Sequence, residues 1–219
     1  MSFWEKKSKI LVSCARGAVG YLREEIEALG FPVLNEIDTA CQTEGTLTDT
    51  MLLNLHLRTA GHVLYQLQMF RVITPAALYE RIKAIPWETM LYESGPDAYV
   101  CVTSAVETAQ ITDTRFASLK AKDAIVDRIR DKTGLRPDSG PAKDRALIHL
   151  YWRDDLAMIY IDTSGEHLSK RGYRKIPLAA PVRETLAASL VMASGWKGKT
   201  PLINPMCGSG TLAIEAALI

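Results

Sequence analysis

The residues with the most chemical content are Asn204-Pro205-Met206-Cys207-Gly208-Ser209-Gly210-Thr211, near the C-terminus of the 219-residue chain. The apolar pair Leu202-Ile203 precedes them as a short strand, and Leu212 to Ile219 starts a helix. Strand, glycine turn and helix in that order open a doubly wound nucleotide-binding domain. Glycines remove the Cβ atoms that would hold a ligand off the backbone, and the free N–H groups of the new helix face whatever binds there. Gly208, Gly210 and Ala213 also satisfy the spacing G-x-G-x-x-(G/A). The spacing leaves three readings open: a cofactor turn, a nicotinamide site, or a tight strand-to-helix connection with no ligand. The glycine turn itself carries no Gly-Lys-Ser/Thr, which argues against a P-loop there.

A second cluster is cationic. Lys170, Arg171, Arg174 and Lys175 surround Tyr173 within six residues. Arg115 and Lys122 lie seven apart, on one face of a helix, with Lys120 to the side; Lys143 and Arg145 come from a polar loop. Cations in such a set track phosphates, and Tyr173 can stack on a base. The competing reading is solvated surface charge, and for Tyr173 packing at a domain junction. Net charge is only +1, yet residues 1–100 carry 9 Lys+Arg against 12 Asp+Glu, and residues 101–200 carry 17 against 12. A polyanion partner would therefore meet the second hundred residues, unless the bias is a solvated face. Cys14, Cys41, Cys101 and Cys207 form no Cys-x-x-Cys, and His56, His62, His149 and His167 do not pair at i, i+4, so no metal is expected. Cys14 and Cys101 lie in apolar runs and read as small buried hydrophobes.

The elements that must position these groups follow from periodicity. Hydrophobic residues make up 47% and charged residues 23%, with mean hydropathy +0.00, which excludes a disordered tail, a collagen-like repeat and a membrane bundle. No run approaches the ~18 apolar residues of a membrane span, and the N-terminus has no apolar stretch of signal-peptide length, so the chain reads as cytoplasmic. Strands are predicted at 10–14, 33–39, 43–47 and 63–70, and helices over 17–29 and 49–60. Leu22, Ile26 and Leu29 define the buried face of the first helix; Thr48 is the expected N-cap of the second, buried through Met51, Leu52 and Leu55. The order β-α-β-β-α-β is the ferredoxin-like plan. A second α/β unit follows: a helix over 76–84, a strand at 99–103, a helix over 115–132 with apolar edge Ala117, Ala121, Ile125 and Ile129, and a hairpin of 147–152 and 156–161. A helix over 182–193 then leads to the glycine turn.

Asn204-Pro-Met-Cys-Gly-Ser-Gly-Thr211 followed by Ile214-Glu-Ala-Ala217 resembles the first S-adenosylmethionine (SAM) motif of amino-methyltransferases, Asp-Pro-x-Cys-Gly-Ser-Gly-Thr. Lys170-Arg-Gly-Tyr-Arg174 and Ala180-Pro-Val-Arg-Glu-Thr-Leu-Ala-Ala188 are similar to the junction of THUMP-containing RNA methyltransferases. Arg115 to Ile125 and the hairpin at 147–162 are similar to the THUMP core. The nearest resemblance is to the large-subunit ribosomal RNA guanine-N2 methyltransferases, long labelled adenine-specific DNA methylases.

That resemblance implies an α+β chain of three parts: a ferredoxin-like domain at 1–72, a THUMP RNA-binding domain at 73–165, and at 166–219 a linker with the start of a Rossmann-like methyltransferase domain. It implies SAM as cofactor, ribosomal RNA as partner, and no membrane or metal. Asn204, Pro205, Cys207, Gly208, Ser209, Gly210, Thr211 and Pro181 would line the cofactor pocket. Glu184 and Thr185 fall on the helix that abuts it, or belong to a plain core helix. Asn204 stands where Asp is common, which removes a carboxylate from the cofactor's ammonium. RNA contacts would come from Arg115, Lys120, Lys122, Lys143, Arg145, Lys170, Arg171, Tyr173, Arg174 and Lys175. The acidic ribose-binding residue and the Asn/Asp-Pro-Pro-Tyr-type loop of such enzymes are not in the sequence. No catalytic residue is assigned, and the chain alone is expected to be inactive. The alternative is a non-catalytic RNA-binding adaptor ending at residue 219.

Overall fold

The computed structural model describes residues 3–91, 98–109, 111, 113–174 and 181–219. They form two compact units, one made of 1–63 with 166–219 and the other of 64–165.

The first unit opens with β1 (Ser8–Cys14), α1 (Val19–Ala28), β2 (Asn35–Ile37), β3 (Ala40–Gly45), α2 (Leu47–His56) and the start of β4 (Ala60–Arg71). β3 pairs antiparallel with β1 and with β2, and β4 borders β1, giving the ferredoxin-like order β2-β3-β1-β4. Leu22 and Ile26, one turn apart on α1, are fully buried. β2 is shorter than predicted, and β3 starts earlier.

α2 departs most from the periodicity. Its N-cap is Thr46, not Thr48: the Asp49 N–H donates to Thr46 Oγ1 at 3.1 Å, and the Thr46 N–H donates to Asp49 Oδ2 at 2.7 Å. This capping box satisfies two free donors at once, which a cap at Thr48 would not. With that start, Leu47, Thr50 and Leu53 face the core, and Met51, Leu52 and Leu55 are exposed. Apolar residues lie on several sides of this helix, so the cap decided which face went in. Beyond it, the Glu25 carboxylate accepts the backbone N–H of Arg58 at 2.7 Å and of Thr59 at 3.0 Å.

The second unit holds Leu64–Arg71 of β4, α3 (Pro75–Lys83), β5 (Tyr99–Glu107), α4 (Thr114–Thr133), β6 (Asp138–Ser139), β7 (Ala146–Arg153) and β8 (Leu156–Asp162). β5 and β7 are parallel, with α4 between them in sequence as the crossover. β7 and β8 form the expected hairpin, and β8 pairs antiparallel with β4. A register shift between Gln66 and Gln68 interrupts the ladder of β4, and Met69 is exposed. Ala117, Ala121, Ile125 and Ile129 of α4 belong to one core with Val100, Leu150, Trp152 and Ile159. Arg128 grips Glu88 with two bonds, at 2.9 and 2.7 Å, tying α4 to the 3-10 turn at Trp87–Thr89.

The first unit is completed by α5 (Glu184–Ala193) and α6 (Thr211–Leu218). Leu202-Ile203 is not a strand. A strand exists only through its ladder partner, and among the described residues none pairs with this segment. Among those residues, no helix is long and apolar enough to cross a membrane.

Candidate cofactor turn and nucleic-acid surface

The glycine turn is built by its own backbone. The Gly210 N–H donates to Cys207 O at 2.8 Å, and the Ile214 N–H to Gly210 O at 2.9 Å, which closes the first turn of α6. Gly208 (φ 52°) and Gly210 (φ 78°) are both left-handed, a conformation that strains any residue with a Cβ. Gly210 is the N-cap of α6 and supplies no side chain, so no side chain caps the first-turn N–H groups. A Cβ at Gly208 would have no described atom within 4 Å, and one at Gly210 only Ile214 Cδ1 at 3.9 Å. The space in front of both glycines is therefore open. Asn204 adds a buried Nδ2 that has no hydrogen-bond partner among the described residues. Thr211 is buried and bonds Ser209 through the two hydroxyls at 3.0 Å, whereas Pro205 and Cys207 are exposed and Pro181 is half-buried.

Two arginines of the basic segment before α5 face inward. Arg174 Nη2 lies 3.2 Å from Glu184 Oε1 and donates to Val182 O at 3.0 Å and to Thr211 Oγ1 at 3.1 Å. Arg171 Nη2 donates to Arg58 O at 2.6 Å, and its Nε lies 3.2 Å from Oε1 of the fully buried Glu215. The Tyr173 hydroxyl donates to the same Glu215 oxygen at 2.8 Å. Burial, and after it the bond to Glu215, pushes the Tyr173 phenol above its ordinary pKa. Arg171, Tyr173 and Arg174 were expected among RNA contacts. Here Arg171 and Arg174 neutralise two carboxylates that the packing of α5 and α6 has buried, and Tyr173 hydrogen-bonds one of them, so they are not free to meet phosphate. Tyr173 is tied to α6 instead. Lys170 remains largely exposed beside Glu166, and Lys175 lies outside the described residues. Sequence reasoning missed Glu215 and gave Glu184 no partner. A lone carboxylate inside the apolar run Thr211–Leu218 was the available signal, because a buried charge needs a counter-ion.

The other expected RNA contacts lie in the second unit, and only some converge. Lys122 and Lys143 line one groove of about 330 Å³ with Val102, Thr103, Leu119 and Pro141. Lys122 also pairs with Asp123 at 3.0 Å. Arg115 is exposed and pairs with Asp113 at 3.2 Å. Lys120 turns elsewhere, over the Phe116 ring and beside Ala76, Tyr79 and Glu80 of α3. Arg145 is exposed.

Comparison with known families identifies the parts. An RlmL ferredoxin-like domain matches residues 9–64, a THUMP domain residues 74–162, and an RMKL-like methyltransferase domain residues 171–219. The chain is thus similar, part by part, to an RlmL ferredoxin-like domain, a THUMP domain and an RMKL-like methyltransferase domain. It is 34% identical over 216 residues to the ribosomal RNA large subunit methyltransferase K/L of Syntrophotalea carbinolica, which covers 96% of this chain and 30% of that protein. A solved structure described as a "predicted N6-adenine-specific DNA methylase" from Listeria monocytogenes matches with a TM-score of 0.82 at 31% identity, over 97% of this chain and 55% of that one. SMU.472, solved in complex with S-adenosylhomocysteine (SAH), gives 0.82 at 28% identity, over 98% and 56%. The chain thus spans under a third of the curated relative, and the family's methyltransferase module is represented by residues 171–219 alone.

Proposed function

We propose that the full-length protein is a SAM-dependent RNA methyltransferase that methylates a base amine, guanine N2 of large-subunit ribosomal RNA, in the cytoplasm. The division at 1–72, 73–165 and 166–219 assigns the THUMP segment to RNA and the last segment to the cofactor. The observation that carries the reading is the turn at Gly208–Gly210: two left-handed glycines, open space before both, and an uncapped helix start behind them. These residues fit the methionine end of SAM. The backbone of Gly208, Ser209 and Gly210 would approach it, the first-turn N–H groups of α6 would face its carboxylate, and Asn204 would offer it an amide. When bound, SAM supplies a methyl group on a sulfonium; the protein supplies position.

For RNA, the groove of Lys122 and Lys143 is the best-formed candidate, with apolar walls for a base and two ammonium groups for flanking phosphates. Arg115 and Arg145 are further exposed cations of the same unit, and Lys170 is an exposed cation of the other. The test is incubation of the full-length protein with SAM and undermodified large-subunit RNA, followed by nucleoside mass analysis for N2-methylguanosine. Lys122→Glu with Lys143→Glu weakens RNA binding and flattens its salt dependence. RNA affinity unchanged by that pair would refute the RNA surface, and a nicotinamide in place of SAH as the stabilising ligand would refute the cofactor.

A further inference from the structure

We infer that Arg174 is a positioning residue for the cofactor turn, an inference that rests on the SAM-binding reading above. One guanidinium nitrogen reaches three separate pieces of backbone or side chain: Val182 O ahead of α5, Glu184 Oε1 in the first turn of α5, and Thr211 Oγ1 in the first turn of α6. The Arg174 and Glu184 side chains are 20% and 6% exposed. Thr211 follows Gly210 directly, and its hydroxyl also bonds Ser209. The chain of contacts therefore runs Glu184, Arg174, Thr211, Ser209, and ends inside the glycine turn. Gly208 and Gly210 have no side chains to hold the turn in place. Because glycine samples many conformations, the fixed point that orients the turn's N–H groups has to come from a neighbour. Thr211, the first residue of α6, can serve because its hydroxyl holds Ser209 within the turn, and Arg174 anchors it. Arg171 and Tyr173 hold the next turn of α6 through Glu215 in the same way. The segment 171–174 works as a strap across the start of this helix, and Arg174 is the member that touches the cofactor turn.

The test uses the full-length protein and two variants, Arg174→Lys and the double variant Arg174→Met/Glu184→Met. The double variant removes both charges together and so leaves no buried orphan to unfold the protein. SAH dissociation constants are measured by calorimetry, RNA affinity by filter binding, and folding by thermal denaturation. The double variant is expected to keep its melting temperature within a few degrees and to bind RNA as before. Its SAH binding weakens about tenfold, the usual scale for losing a hydrogen bond to a charged group. Arg174→Lys retains the pair with Glu184 but not all three acceptors, and falls between. Unchanged SAH affinity in the double variant overturns the inference, and so does a parallel loss of SAH affinity, RNA affinity and melting temperature. If the unaltered protein fails to bind SAH, the functional reading itself falls.

Discussion

Replacing Gly208 by alanine separates the cost of folding the turn from the cost of filling it. The position has φ 52°, where a Cβ costs about 1–2 kcal/mol. Loss of unfolded-state freedom returns roughly 0.4–1 kcal/mol, so the net destabilisation is about 1 kcal/mol. For a chain of this size that corresponds to a melting shift of about 2–4 °C. No steric cost adds to it, because a Cβ there has no described neighbour within 4 Å. The new methyl group instead projects into the space that SAM is proposed to enter. In the full-length protein, SAH affinity therefore falls by more than about tenfold, roughly 1.4 kcal/mol, while the melting temperature moves by only a few degrees. Strain paid in folding is common to the free and bound forms, so it does not account for an affinity loss. Scanning fluorimetry and calorimetry on one preparation measure both quantities. A variant that melts a few degrees lower yet binds SAH normally would refute the placement of the ligand at this turn. A shift far larger than a few degrees would refute the open space.

Three further outcomes follow from packing and charge. Glu88→Gln removes the carboxylate that Arg128 holds below the ordinary glutamate pKa of 4.5, and costs about 1–3 kcal/mol near neutral pH. Because the folded-state pKa is depressed, that stability is present above the unfolded value and is lost as pH falls through the folded one; urea titrations of the two proteins should converge in acid. Burial pushes the thiol pKa of Cys14 up to about 11 and that of Cys41 up to about 12, whereas Cys207 is exposed. Alkylation at about pH 8 should label Cys207 first, and SAH should slow that labelling in the full-length protein. Leu53→Ala should cost about 2–5 kcal/mol and Leu55→Ala less than about 0.5, as measured by urea denaturation, although the two lie on the same helix. Equal effects would contradict the burial of α2.

Helix α4 was legible because Ala117, Ala121, Ile125 and Ile129 keep one face and Gly134 ends it. The hairpin was legible because polar Arg153-Asp154-Asp155 interrupts two apolar runs. α2 was not, since its apolar residues surround the axis and the deciding signal was the Thr46–Asp49 box. In β4 an irregularity at Gln66–Gln68 interrupts the ladder, and no local pattern announces a bulge. Leu202-Ile203 has strand composition, but pairing is a property of two segments and one was read alone. The glycine turn was legible from residue types, since left-handed backbone and close approach both select glycine. Its support was not. Arg171 and Arg174 carry the same charge whether they meet a phosphate or a buried carboxylate, and only packing decides.

The first compact unit is discontinuous in the chain, and this sets an order on the ribosome. Residues 64–165 are contiguous and can fold once they have emerged. The first segment, 1–63, emerges earlier but waits for its other half. The bond from Arg171 to Arg58 O, and that from the Leu168 N–H to Gly61 O, need residues made about a hundred positions later. At roughly 5–20 residues per second that interval is about 5–20 s. Until then Glu25 holds the segment Arg58-Thr59. Residues 1–63 are therefore made before 64–165 but gain these two bonds only after it, from the segment that leads on to the glycine turn.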